Sequence, residues 1–278
     1  MRQLRRIFHC RAAEIPWIIN AGGSQRRVHT FTPARVTNLM SQTTEIGRVA
    51  GLYRYPVKLM RGESVSAVDV RWSGIDGDRQ YAFYKRNDKS RFPWLTARAV
   101  SKMVLFEALY DDGSNPRTSR VTVNTPDGGT FDVTSDALAA LLSSEAGEDV
   151  ALLQVGRGTF DSMPISVVGD ATLAALGRVY GRDVEAVRFR PNIVIDSGNE
   201  RDWLNGCLIF GDAEGGVQIR LNKPIDRCSL VTVDPRTASR EPGLLRAVVE
   251  NFQNEIGAYG VAERLGRLEI GMKVWLPK

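Results

Sequence analysis

The sequence predicts a mainly β protein with some α-helix (α+β), folded as two linked barrel-like parts. Three observations carry that expectation. Between residues 46 and 133 short β-type segments recur at close spacing, punctuated by Gly, Pro and Asp, which is the texture of a small barrel. Helical periodicity is confined to a few later segments. The chain runs out through Gly266, Gly271 and Val274-Trp275-Leu276, which reads as a barrel-closing hairpin with glycine at the corner and apolar residues entering the lumen.

Taken in order, residues 46–55, 64–70, 80–84, 103–110, 121–123 and 131–133 read as strands. Pro126-Asp127-Gly128-Gly129 joins the last two as a hairpin turn, because its residues suit φ > 0. Ser135 or Asp136 caps a helix to about residue 144, with Leu138, Leu141 and Leu142 on one face. A strand at 149–155 precedes a second helix at 170–180, where Leu173, Leu176 and Tyr180 share a side. Pro242 opens a third, to about 250, at a first-turn position that tolerates it. These stripes are core packing. Strands are expected again at 187–196, 208–210, 217–221, 229–233, 255–263 and 268–276. The change of texture near 134 divides the chain into a leader over 1–42, an N-terminal β-barrel part over 43–134 and a second part over 135–278.

The formal net charge of +5 is unevenly placed. Residues 1–40 hold seven Arg, one acidic residue (Glu14) and both histidines, His9 and His29, which leaves 30 basic against 31 acidic residues in the rest. A neutral body offers no basic stripe to track phosphates, so nucleic acid is not an expected partner. The leader reads either as an organelle transit peptide or as an upstream extension ahead of Met40, and is expected to be disordered. The protein is accordingly expected in the cytoplasm, or in mitochondria if the leader is a targeting peptide. No apolar run reaches the length of a spanning helix. Three cysteines without paired spacing argue against a disulfide framework.

Several chemistries are excluded. Gly156-Arg157-Gly158 is followed by Asp161 at the third glycine position and then Pro164, and Gly266 to Gly271 is followed by Met272-Lys273, so neither is a nucleotide loop. With no histidine after His29, the body holds neither a Ser-His-Asp nor a Cys-His machine, and two lone cysteines cannot build a zinc site. What remains is Cys228, preceded by Arg227, and a metal that needs one protein ligand because a cofactor supplies the others. Molybdenum held by a pterin dithiolene meets that description. The pterin phosphate calls for basic side chains, and Lys58, Arg79, Arg188 and Arg190 are candidates. Singly, a basic residue is more often a solvated charge. Arg190 differs, since Phe189 and the apolar run after Pro191-Asn192 carry it inward, where a guanidinium needs an anionic partner.

Together these residues resemble the MOSC family with its N-terminal β-barrel partner, in particular the amidoxime-reducing branch and its bacterial relatives. The resemblance covers about 46–277. It rests on Tyr55-Pro56-Val57-Lys58, Gly74 with Asp78-Arg79, Leu95-Thr96-Ala97-Arg98, Arg188-Phe189-Arg190-Pro191-Asn192, Arg227-Cys228 with Thr232-Val233-Asp234-Pro235, and Tyr259. It implies molybdenum cofactor (molybdenum-molybdopterin) with Cys228 as metal ligand and catalytic residue. Lys58, Arg79 and Arg190 would hold the pterin and its phosphate, with Asn192, Arg227 and Tyr259 beside them. Leu59, the residue before Pro164, and Asp226 stand where that branch has serine, and Ser162 is expected to replace the second of these by a one-residue shift. The implied activity is two-electron reduction of small N-hydroxylated compounds, fed by a separate donor protein, ferredoxin-like or a cytochrome or flavoprotein. The alternatives are a cofactor carrier or sulfur-transfer module without turnover, and a metal-free binding module in which Cys228 is a small buried hydrophobe.

Overall fold

The computed structural model describes residues 43–97 and 99–278. The expectations placed on the leader, and on Arg98, lie outside these residues. The strands are β1 (Thr43–Arg54), β2 (Glu63–Ser64), β3 (Ala67–Arg71), β4 (Gly74–Ile75), β5 (Tyr81–Lys85), β6 (Glu107–Tyr110), β7 (Val121–Asn124) and β8 (Thr130–Asp132), followed by helix α1 (Asp136–Ala146) and β9 (Val150–Gln154). Then come β10 (Ile165–Gly169), α2 (Asp170–Tyr180), β11 (Ile193–Ile195), β12 (Cys207–Phe210), β13 (Val217–Asp226), α3 (Pro242–Phe252), β14 (Glu255–Arg264), β15 (Gly266–Glu269) and β16 (Lys273–Pro277).

Seven strands close into a barrel in the order β1-β11-β10-β14-β13-β12-β16, which returns to β1. β10 and β11 are parallel and the other barrel pairs antiparallel. Alternating apolar positions fill the lumen: Val49, Ile165, Val167, Ile193, Ile195, Phe210, Ile219 and Val274 share one core. Within the barrel β1 pairs with β16 through its first half and with β11 through its second, its end also pairing with β2, and its register breaks between Glu45 and Gly47 and between Val49 and Gly51. Such bulges bend a strand enough to close a sheet on itself. Helices α2 and α3 cover the barrel's outside, where Leu173, Leu176, Leu244 and Val248 pack with Val168, Val194 and Ile256.

A second core lies under the β5-β9 and β6-β7-β8 sheets and joins Val57, Met60, Phe83, Met103 and Val123 to Leu138 and Leu142 of α1 and Val150 of β9. The expected division after residue 134 falls inside this core, since α1 and β9 pack with the strands that precede them. The hairpin at 126–129 forms as expected, with Thr122 opposite Asp132 and Gly128 at φ 86°.

Four expected strands are corrected. Residues 101–105 are a 3₁₀ turn, because Val100, Met103, Val104 and Phe106 are buried at helical rather than alternating spacing. Residues 229–232 also form a 3₁₀ turn, in which the Thr232 hydroxyl donates to the Ser229 carbonyl at 2.7 Å. The segment 187–196 opens as a 3₁₀ turn at Ala186–Phe189, and Pro191 lacks the N–H that a ladder needs, so only β11 is strand. The 268–276 segment breaks at Gly271, φ 84°. Its halves are not a hairpin: β15 pairs with β3, while β16 closes the barrel between β12 and β1.

Candidate functional site

β13 ends at Asp226, and Cys228 follows at the entry to the 3₁₀ turn, its chain fixed by Arg227 N–H donating to the Asn254 carbonyl at 2.8 Å. The thiol-bearing residue is exposed. Lys58 comes from the loop after β1, held by its N–H on the Tyr81 carbonyl at 2.8 Å, and is buried to 6% exposure. Arg79 lies between β4 and β5, and Arg190 ends the turn before β11. A cavity of about 100 Å³ gathers Lys58, Arg79, Arg190, Asn192, Arg227, Cys228 and Tyr259. Ser162 is exposed and does not line it.

The backbone is strained here. Leu59, Arg79 and Arg190 all line this cavity and have φ of 71°, 50° and 54°. Non-glycine residues in this region cost about 1–3 kcal/mol each, which the surrounding packing must hold in place. Tyr55 underlies two of them: its ring centroid is 4.8 Å from the Arg79 guanidinium and 4.2 Å from that of Arg190.

The five cations that line the cavity are unequally neutralised, and Arg188 is paired with both Asp234 at 2.7 Å and Glu241 at 2.9 Å. Arg79 pairs with buried Asp78. Lys58 Nζ donates to Asp161 at 2.5 Å and to the Thr159 carbonyl at 3.1 Å. Arg190 Nη1 donates to the Met60 carbonyl at 2.8 Å, while its Nη2 is buried with no hydrogen-bond partner. Arg227 donates to the carbonyls of Ile256 and Phe189. Among the described residues neither Arg190 nor Arg227 has a carboxylate within ion-pair distance. Burial accordingly pushes both guanidinium pKa values down to about 10, and burial lowers Lys58 against the opposing pull of Asp161. Burial pulls Arg79 down, but Asp78, Tyr55 and Asp161 together raise it, and burial raises Tyr259. Two buried guanidinium groups of this cavity thus lack a counter-charge.

Asn192 plays a different part. Its Oδ1 accepts from Ser166 N–H and hydroxyl at 3.1 and 3.0 Å and its Nδ2 donates to the Tyr53 carbonyl at 3.3 Å, so its side chain latches β10, β11 and β1 together. Sequence reasoning passed over Tyr55, Asp78 and Asp161 as functional groups, although the first two stand inside the motifs it quoted.

Comparison with known families settles the lineage. Residues 46–154 match the MOSC N-terminal beta barrel domain and residues 156–275 the MOSC domain. The chain is a two-part MOSC protein. The cavity draws on both parts, since Lys58, Leu59 and Arg79 precede residue 154 and its remaining lining residues follow it. This MOSC chain is 30% identical over 125 residues to molybdenum cofactor sulfurase of Drosophila erecta, an alignment covering 41% of this chain and 16% of the fly protein. It is also 30% identical over 135 residues to mitochondrial amidoxime-reducing component 1 of Homo sapiens, covering 42% of this chain and 37% of the human one. Among solved structures, the YUAD protein from Bacillus subtilis aligns with 84% of this chain and 97% of its own, at 14% identity and TM-score 0.48. Among the described residues no helix is long and apolar enough to cross a membrane.

Proposed function

We propose that this chain binds molybdenum cofactor at Cys228 and reduces N-hydroxylated compounds with electrons from a separate donor protein, ferredoxin-like or a cytochrome or flavoprotein. The observation that carries the reading is Arg190: a buried guanidinium with an orphan N–H beside an accessible thiol. That combination fits a phosphate-bearing pterin whose metal takes one protein sulfur. Among the described residues no three His, Cys, Asp or Glu side chains converge, so a metal at Cys228 has to bring most of its ligands with it. When bound, the cofactor supplies two-electron redox chemistry. Lys58, Arg79 and Arg190 hold its anionic end, and Tyr55 and Asp78 fix the two arginines. In the overall reaction the N–O bond breaks, two electrons and two protons are consumed, and water leaves. Similarity to amidoxime-reducing component 1 supports this direction.

The test is metal analysis of protein made in a host that synthesises the cofactor. About one molybdenum per chain is expected, because one free-standing thiolate completes a pterin-held metal but cannot build a cluster. Cys228→Ser should lose activity. Cys207→Ser should keep metal and activity, since Cys207 lies in β12, away from the cavity, and burial with Glu263 nearby pushes its thiol up to about 11. Iron in place of molybdenum overturns the reading. Bound molybdenum with no reductase activity under any donor favours a carrier or sulfur-transfer role, to which the similarity to the sulfurase points.

A further inference from the structure

Lys58 and Arg79 each have a carboxylate partner, and the two partners are held in opposite ways. Asp78 is 2% exposed, accepts the Tyr55 N–H at 2.8 Å and pairs with Arg79, so its charge is fixed in the fold. Asp161 is not fixed in this way. Its side chain is 59% exposed, against 7% for Lys58, and the Lys58 pair is the single polar contact its carboxylate makes among the described residues. The chain around it is sparsely tied: Thr159 N–H donates to the Arg79 carbonyl at 2.7 Å and Ile165 enters β10, but residues 160–163 make no backbone hydrogen bond among the described residues. The segment expected to offer the Ser162 hydroxyl therefore presents an exposed carboxylate to a buried lysine.

We infer that Asp161 is an exchangeable counter-ion, a carboxylate of the chain itself that occupies Lys58 until a phosphate group displaces it. The inference deepens the reading of this cavity as a phosphate site and rests on it. Lys58 is the fixed partner, with its N–H on the Tyr81 carbonyl and its side chain buried, so the exchange has to move Asp161. Moving it costs little, because the carboxylate is already largely hydrated and its loop breaks no backbone hydrogen bond in leaving. Left in place, it opposes a phosphate entering beside Arg190, since its charge acts on Lys58, Arg79, Arg190 and Tyr259 together. The carboxylate also leaves Arg190 Nη2 without a partner, whereas a phosphate monoester brings three strong acceptor oxygens and about 1.5–2 negative charges near pH 7, enough for Lys58 and Arg190 at once. Asp161 thus sets a threshold: an anion of one charge only replaces what it expels, and a phosphate gains by the exchange.

The test is calorimetric titration of the full-length chain, made in a host lacking the cofactor, with inorganic phosphate at constant ionic strength. Asp161→Asn keeps the shape and removes the charge, and should tighten phosphate about three- to tenfold. Its melting temperature without phosphate should fall, because Lys58 loses its partner, and phosphate should raise it by more than it raises that of wild type. A carboxylate that serves only to orient Lys58 gives the opposite sign, with affinity and melting temperature both lowered. Asp226 is the comparison, since it lines the same cavity, is exposed and makes no ion pair among the described residues. Asp226→Asn should tighten phosphate by less than about twofold, as expected of a solvent-screened charge. An equal gain in the two variants, or weaker or unchanged binding in folded Asp161→Asn, overturns the exchange. Unchanged binding that still requires Arg190 removes the exchange and keeps the phosphate site, whereas no phosphate binding to wild type or to Asp161→Asn at millimolar concentration overturns the phosphate site itself.

Discussion

Arg190 concentrates the argument at the scale of one residue. Its guanidinium is buried, lies over Tyr55 and leaves one nitrogen without a partner. A buried cation without a counter-charge is a cost to the fold that an anionic ligand removes. Arg190→Ala is therefore expected to lower cofactor affinity about ten- to a hundredfold, the value of a charge-assisted contact of roughly 1.5–3 kcal/mol. Arg190→Lys should recover part of this, because an ammonium cannot reproduce the planar fork. Molybdenum content and melting temperature measured together decide the matter: full occupancy in folded Arg190→Ala removes the residue from the site. The sequence showed that this arginine lies inward, since apolar neighbours flank it. It did not show the left-handed backbone at Arg190, Arg79 and Leu59, because nothing in these side chains signals φ > 0 and only the packing around them enforces it.

At the scale of elements, the helices were legible and the turns that build the site were not. α2 spans the expected residues, and α1 starts where Ser135 promised: the Ser135 hydroxyl accepts from Leu138 N–H at 3.3 Å, and Gly147 closes the helix at φ 69°. Caps and helical spacing are local signals, so they survive in the sequence. The 3₁₀ turns at 186–189 and 229–232 read as strands because Val187, Phe189, Val231 and Thr232 are β-branched or aromatic. α1 also gives a test of separation between scaffold and site. Ser135→Ala should destabilise the fold by about 0.5–2 kcal/mol, the usual value of an N-cap, as read by denaturant midpoint. Molybdenum content should be retained, since α1 packs in the second core and contributes no residue to the cavity. A loss of metal in folded Ser135→Ala would tie that core to the site.

Over the whole molecule, the site exists because barrel closure brings together segments more than a hundred residues apart, such as the Lys58–Asp161 pair and Arg190 with Met60. Composition could name the cations but not pair them. The pH dependence follows from burial. The folded pKa of Arg190 and Arg227, about 10, lies below that of a free guanidinium, so the folded state gives up these protons first. Stability from these groups therefore rises with pH only above about 10 and is flat from pH 6 to 8, where both remain charged. In that neutral window relief has to come from a bound anion. Protein made in a host lacking the cofactor should accordingly be stabilised by inorganic phosphate. At ten times the dissociation constant the gain is about 1.4 kcal/mol, a rise of roughly 3–5 °C in Tm for a domain of this size. Potassium chloride at equal ionic strength should not reproduce it. Phosphate also stabilises proteins generally by exclusion from their surfaces, so Arg190→Ala is the deciding control: it should show only that general effect, and a rise equal to wild type would mean that phosphate acts elsewhere than at the unpaired guanidinium.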